Sequence, residues 1–266
     1  MELQLFIYKN IALHFYYSKD SVEGEVINNK NIFVYFPGLP QMIDEDFFVN
    51  KVDKNTAFFS VYYMGSWLSG GSFTYKNCRK TVELAVEFIK NKQGIKTFDN
   101  KQIKWDYNNL YVMGYSFSGN PVVSAKITKN DVKSVILFAP LLFLHKKEVL
   151  ESMKDKKAID NFYGFNSFYL EFLRRGYKFA FRGIEKKSWD KYFSGKASKS
   201  IVKINKDYPD IIIFHGKSDE KINYASSLFF QKEKRPETKI FLKDEAGHNL
   251  EKLFDINQIN KLISLL

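Results

Sequence analysis

Leu110-Tyr-Val-Met-Gly114-Tyr-Ser116-Phe-Ser-Gly119-Asn-Pro121 is the stretch on which the reading of this 266-residue chain turns. The apolar run Leu110–Met113 has the composition of a short buried strand, and it ends at a glycine. Pro121 stands just ahead of a further apolar stretch, and proline is tolerated in the first turn of a helix, where its missing N–H costs nothing. Ser116 therefore falls on a strand-to-helix turn, the setting that the nucleophile-elbow pattern G-x-S-x-G requires. A serine there is held in a strained backbone conformation, so residues two positions before and after it must be small. Gly114 meets that need. Ser118 takes the place of the second glycine, a departure softened by its small side chain and by Gly119.

Apolar runs on both sides of this turn extend the pattern. Leu3 to Tyr8 and Ala12 to Tyr17, joined at Lys9 and Asn10, read as a hairpin. Asn31 to Phe36, ended by Pro37-Gly-Leu-Pro40, and Thr56 to Tyr63, ended by Gly65, read as buried strands, as do Val132 to Ala139 and Ile211 to Phe214. Residues 76–92 set Val82, Ala85, Val86 and Ile89 on one helical face and Lys80, Glu83, Glu87 and Lys90 on the other. Strands alternating with helices after a hairpin predict an α/β protein with a mostly parallel central sheet, an N-terminal antiparallel hairpin and helices on both faces. In such sheets ligands sit at the carboxyl ends of the strands.

The alternation breaks between Pro140 and Asp210. This segment is rich in aromatic residues, among them Phe162, Tyr163, Phe165, Phe168, Tyr169 and Trp189. It is too long for a structureless loop inside a compact domain. We therefore expect residues 141–208 to form a helical insertion folded over the strand ends as a lid, on a core made of residues 1–140 and 209–266.

Composition narrows the classes. The chain is 45% hydrophobic and 27% charged, which suits a soluble globular fold rather than a disordered or fibrous one. It has no uncharged apolar run long enough to span a bilayer. The start, Met1-Glu-Leu-Gln4, lacks the basic region and cleavage site of a signal peptide, so the expectation is a cytoplasmic protein. Cys78 is the single cysteine, which disfavours disulfides, structural zinc and redox chemistry. The net charge of +11 raises a nucleic-acid reading, but only five of the 41 basic residues are arginine. Arginine makes the commonest specific base contacts, and a lysine-rich, Asn-, Ile-, Phe- and Tyr-rich composition follows from AT-rich coding alone. No nucleic-acid partner is expected.

A serine nucleophile needs a base, and the base needs an orienting group. Of the four histidines, His14 lies in the hairpin and His145 at the start of the insertion, while His215 ends a strand and reads as a buried structural residue. His248 lies in Asp244-Glu-Ala-Gly-His-Asn-Leu250, after the last strand, Lys239 to Leu242, on a loop able to reach back to the elbow. It is the candidate base. The run Ile211-Ile-Ile-Phe-His-Gly-Lys-Ser-Asp219 places Asp219 just past a strand end as the candidate orienting acid, with Glu220 as its nearest competitor.

The chain order Ser116, Asp219, His248, each at a strand end, resembles the α/β-hydrolase superfamily over essentially the full length. Gly114-Tyr-Ser-Phe-Ser-Gly119 resembles its elbow, His215-Gly-Lys-Ser-Asp219 its acid loop, Gly247-His248 its histidine loop and Pro37-Gly-Leu-Pro40 its oxyanion turn. Tyr63-Met-Gly-Ser-Trp-Leu-Ser-Gly-Gly-Ser-Phe73 resembles the glycine-rich segment of esterases and prolyl-oligopeptidase-like members. The resemblance implies a serine hydrolase with no metal or organic cofactor. Proline has no N–H, so among the turn residues Leu39 is the candidate first oxyanion donor, with Phe117 beside the nucleophile as the second.

Three arginines and an indole are the candidates for substrate contact. Residues 141–208 carry 13 Lys and 3 Arg against 8 acidic residues, a net +8 within the total of +11. Arg174, Arg175 and Arg182 are suited to an anionic substrate group or a lipid headgroup, although a solvated basic face is the plainer reading. Trp67 either lines a pocket or makes a turn. The expected substrate is a small-molecule acyl ester. The alternatives are a prolyl-oligopeptidase-like or aminoacyl peptidase, and a non-catalytic relative that binds an apolar ligand under the lid.

Overall fold

The computed structural model describes residues 1–40, 46–49, 51–142, 175, 177, 179–184, 206–250, 258 and 261. Most of 141–208 therefore lies outside the described residues, and with it the expected lid.

Ten strands form one sheet among the described residues. They are β1 (Glu2–Tyr8), β2 (Ile11–Tyr17), β3 (Val22–Glu23), β4 (Val26–Phe36), β5 (Thr56–Tyr62), β6 (Gln93–Ile95), β7 (Gln102–Tyr115), β8 (Ser134–Phe138), β9 (Asp210–Gly216) and β10 (Lys239–Lys243). Their order is β1-β2-β5-β4-β7-β8-β9-β10, with β3 paired to β4 and β6 to β7. From β5 to β10 along this path every pairing is parallel. The hairpin β1–β2 is antiparallel and joins the rest through an antiparallel β2–β5 pair. Its turn is Lys9-Asn10, both at positive φ, as a tight hairpin turn matched to strand twist requires.

The central strands are buried on both sides, and their side chains alternate between two cores. Ile32, Val34, Phe36, Leu110, Val112, Val135, Leu137, Ile211 and Ile213 enter the larger one. Phe33, Tyr35, Tyr111, Met113, Ile136, Phe138, Ile212 and Phe214 enter the smaller. The larger core is covered by α2 (Tyr75–Lys90), α3 (Gly119–Ser124) and α4 (Ala225–Glu233). The short helix α1 (Asp46–Val49) packs Phe47 and Phe48 on the other side. Helix α2 matches the amphipathic reading. Thr74 caps it by accepting a hydrogen bond from Asn77 N at 3.2 Å, and its apolar face buries Val82, Leu84, Ala85, Val86 and Ile89.

Two strands are much longer than their apolar runs. β4 begins at Val26 and β7 at Gln102, and their polar first halves pair with each other from Val26–Lys104 onward. Asn31 is buried there and accepts from Asn109 Nδ2 at 3.0 Å across the pair. Trp105, also buried, donates from Nε1 to Ile89 O at 3.0 Å and fixes the end of α2 on the sheet. No helix among the described residues is long and apolar enough to cross a membrane.

Candidate active site

The carboxyl ends of β4, β7, β9 and β10 point the same way, because these strands are mutually parallel. Each delivers one of the sequence motifs to that end of the sheet.

Ser116 follows β7 directly and has φ 54°, the left-handed region that a non-glycine residue rarely occupies. The chain then winds through a short 3-10 turn, Ser116–Ser118, into α3. The crowding explains the glycines on either side. A Cβ on Gly114 would meet Leu137 at 3.1 Å and Val122 at 3.3 Å, and one on Gly119 would meet Pro140 at 2.5 Å. The Ser116 carbonyl accepts from Leu141 N at 2.8 Å, which ties the strained residue to the segment after β8.

His248 brings Nε2 to 2.9 Å from Ser116 Oγ and Nδ1 to 2.8 Å from Asp219 Oδ2. A carboxylate can only accept, so Nδ1 carries the proton and Nε2 is left to accept from the serine hydroxyl. Asp219 has four donors. Lys221 N and Ile222 N both bond Oδ1 at 2.9 Å, while His215 Nε2 stands 3.3 Å from Oδ2 beside the His248 bond. Burial by itself raises the carboxyl pKa, but the hydrogen bonds from His215 and His248, the nearby His248 ring and the Ile222 N–H outweigh it. Asp219 is held well below the ordinary carboxylate range. The competitor Glu220 is exposed.

His215 is fully buried, and it does more than the sequence discloses. Its Nε2 lies 2.8 Å from Ile222 O, an acceptor, so that nitrogen bears the proton and also faces Asp219. Nδ1 is then free to accept from Ser227 Oγ at 2.8 Å. His215 thus fixes the acid loop and contributes to the field on the carboxylate. The dipeptide His-Gly at a strand end was the only sequence signal for this role. Gly216 is there because nothing larger fits: a Cβ would stand 2.0 Å from Ala246 O. The acid and histidine loops are in backbone contact, with Ser218 N donating to Ala246 O at 3.1 Å.

The Pro37–Pro40 turn lies against the elbow. A Cβ on Gly38 would fall 2.8 Å from Tyr115 Cδ1 and 3.0 Å from Ser116 Cβ. Leu39 is half-buried beside the larger core and Phe117 follows the serine on the 3-10 turn. Ser118, at the position the elbow pattern gives to glycine, is buried and donates to Pro37 O at 2.6 Å. Tyr115 packs on the His248 ring, with centroids 5.2 Å apart, and its hydroxyl donates to Asn249 Oδ1 at 2.9 Å.

The substrate-contact candidates fare differently from one another. Trp67 Nε1 donates to Pro40 O at 2.7 Å, and Trp67 N donates to Ala180 O at 2.6 Å. Arg182 turns its guanidinium onto the carbonyls of Trp67, at 3.1 Å, and Ser69. Arg175 is exposed, and Arg174 lies outside the described residues. A surface pocket of about 480 Å³ is lined by Ser218, Lys221, Glu245, Gly247, His248 and Asn249, among others, and so flanks the histidine. Among the described residues no group of three His, Cys, Asp or Glu side chains is placed to hold a metal ion.

No protein-family model and no curated protein sequence matches the chain. Solved structures do. A butyrate-bound esterase, Est2 of Thermogutta terrifontis, has a TM-score of 0.57 at 14% identity, covering 99% of this chain and 91% of that one. Est1E of Butyrivibrio proteoclasticus gives 0.56 at 14% identity, over 98% of this chain and all of its own. Mouse alpha/beta hydrolase domain-containing protein 10 gives 0.56 at 16% identity, over 100% and 99% of the two chains. The likeness is one of fold, and it runs from end to end of the chain.

Proposed function

Taking as premise that this chain has the α/β-hydrolase fold, we propose that it is a serine hydrolase of carboxylic esters, acting through Ser116, His248 and Asp219. One observation carries the reading. An unbroken hydrogen-bonded line runs from Ser116 Oγ through His248 to Asp219, at 2.9 and 2.8 Å, with the serine in a left-handed conformation at a strand-to-helix elbow. A buried acid that serves only packing has no reason to hold an imidazole whose other nitrogen faces a strained serine.

In the proposed reaction Ser116 Oγ attacks the acyl carbonyl while His248 Nε2 takes its proton. Asp219 keeps the imidazole in the Nδ1–H tautomer and stabilises the imidazolium that forms. The oxygen of the tetrahedral intermediate is received by the N–H groups of Leu39 and Phe117. His248 then returns the proton to the departing alkoxide, leaving an acyl-serine. Water, activated by the same imidazole, attacks the acyl-serine and releases the carboxylic acid. Esterases of the same fold, one of them described with bound butyrate, favour an ester over an amide as substrate.

Initial rates on chromogenic esters from acetyl to palmitoyl, with Ser116→Ala in parallel, test the proposal. It predicts turnover with a chain-length optimum that disappears in the variant. Equal turnover in the variant, or none in the parent chain, would overturn it. Comparing neutral with anionic esters in Arg174→Gln/Arg175→Gln separates recognition of an anionic group by the basic insertion from a solvated basic face, and unchanged selectivity would leave the second.

A further inference from the structure

We propose that Trp67 and Ser118 are positioning residues that fix the oxyanion-stabilising geometry of the Pro37–Pro40 turn, an inference that rests on the serine-hydrolase reading above.

Peptide planarity links carbonyl contacts to donor direction. Each peptide is a rigid plane, so pinning a carbonyl fixes its whole unit, and pinning both ends of a short turn limits the rotations open to the peptides between. In the turn, Leu39 N–H belongs to the Gly38–Leu39 peptide. Pro37 O belongs to the peptide just before it and Pro40 O to the second peptide after it, so the turn is pinned at both ends, each time by a side chain from another element. Ser118 Oγ donates to Pro37 O at 2.6 Å, and Trp67 Nε1 donates to Pro40 O at 2.7 Å. Between them lies Gly38, whose lack of a side chain permits the close approach to Tyr115 and Ser116 and also leaves the backbone easy to rotate. Two clamps remove the freedom that the close approach demands.

Both clamps are themselves fixed. Ser118 is fully buried and sits two residues after the serine, so its bond couples the elbow to the turn. It occupies the position where the elbow pattern has glycine, and glycine would supply no donor. Trp67 is held at φ 45° by its N–H on Ala180 O, at 2.6 Å, and by Arg182 on its carbonyl, at 3.1 Å. Arg182 N also donates to Gly65 O at 2.7 Å, and Phe73 N to Arg182 O at 2.7 Å. Through these bonds the strap Ala180–Arg182 sets the backbone that carries the indole. Phe181 of the strap packs on Phe73, which packs on Phe117, the residue of the second proposed donor.

Trp67→Phe keeps an aromatic ring and removes one donor; Ser118→Ala removes the other. Each variant is expected to lower kcat on a short-chain chromogenic ester about tenfold, with KM within about twofold. An oxyanion donor is worth on the order of 10²–10³ in kcat when lost outright, and misaimed donors retain part of that. A trifluoromethyl ketone, whose adduct with serine carries the oxyanion, should bind each variant more weakly by the same factor as kcat. The affinity of the product alcohol should stay constant. Unfolding temperatures of both variants identify loss of fold, and because the two lie on different elements, either alone suffices as a test. Parental kcat in both variants overturns the inference and leaves the hydrolase reading standing. So does a raised KM at unchanged kcat in Trp67→Phe, which would make the indole a substrate contact. A parent chain with no Ser116-dependent turnover overturns both.

Discussion

Replacing Asp219 by Asn exchanges one acceptor of the site for a donor while keeping its shape. The amide oxygen can keep the Oδ1 position, where Lys221 N and Ile222 N donate at 2.9 Å, so the acid loop retains its fold. The NH₂ then takes the Oδ2 position, where a donor faces the Nδ1–H of His248 at 2.8 Å. His215 already has Ile222 O as acceptor and is not forced to move. His248 relieves the conflict by shifting its proton to Nε2, which sets an N–H against Ser116 Oγ at 2.9 Å and leaves no base there. A wrong-tautomer histidine costs on the order of 10⁴ in kcat in triads of this kind, equivalent to about 5.5 kcal/mol at 1.36 kcal/mol per decade. The assay is single-turnover and steady-state hydrolysis of a p-nitrophenyl ester, with circular dichroism to show that the fold survives. Retention of more than a tenth of parental kcat by a folded Asp219→Asn would refute the tautomer argument. The same substitution has a stability signature. Asp219 has its folded pKa depressed, so its contribution is present above the unfolded value of about 3.9 and is lost as pH falls through the folded one. Below about pH 4 the parent should lose unfolding temperature more steeply than Asp219→Asn.

Ser116→Gly should abolish turnover and raise the unfolding temperature by about 2–3 °C, since glycine relieves roughly 1 kcal/mol of left-handed strain; Ser116→Ala keeps the strain, and equal melting of the two would contradict this. Gly216→Ala puts a Cβ 2.0 Å from Ala246 O and should part the acid and histidine loops, lowering kcat at least 10²-fold. Gly247→Ala meets nothing within 4 Å and should stay near parental rates, so similar kinetics for the two variants would speak against loop contact. Cys78 is fully buried and its thiol is pushed well above its ordinary pKa, so Ellman's reagent should react only on unfolding, and fast native labelling would show the packing of α2 to be looser than described.

Much of this site was written in local sequence. A β-strand with apolar residues on both faces, as in Leu110–Met113 or Ile211–Phe214, announces itself without its partners, and so does a glycine-flanked serine at its end. What hydropathy misses is polarity satisfied at a distance. Asn31 opens an apolar run, but nothing local accounts for burying its amide, whose donor comes from Asn109, 78 residues away. The first half of β7 is likewise a strand because β4 lies beside it, and nothing local marks it. The same limit governs the site. Ser118 looks like an imperfect elbow residue until Pro37 O is found 2.6 Å from its hydroxyl. Trp67 reads equally as a pocket aromatic or a turn residue, and nothing local directs its indole N–H to Pro40 O. His215 was legible as buried, but its facing of Asp219 depends on the turn at Ile222 folding back on it.

The histidine hangs from the last strand of the sheet. Among the described residues β10 is an edge, held by its parallel pairing with β9 and by the contact of its loop with the acid loop. Edge strands open locally at lower free energy than the strands they border. The proposed catalysis needs β10 docked, whereas most of the larger core lies on the far side of β8 and does not. The temperature at which turnover stops should therefore fall below the one at which the central strands exchange their amide hydrogens. Hydrolysis then serves as a gauge of fraying at one margin of the sheet, well before the protein as a whole lets go.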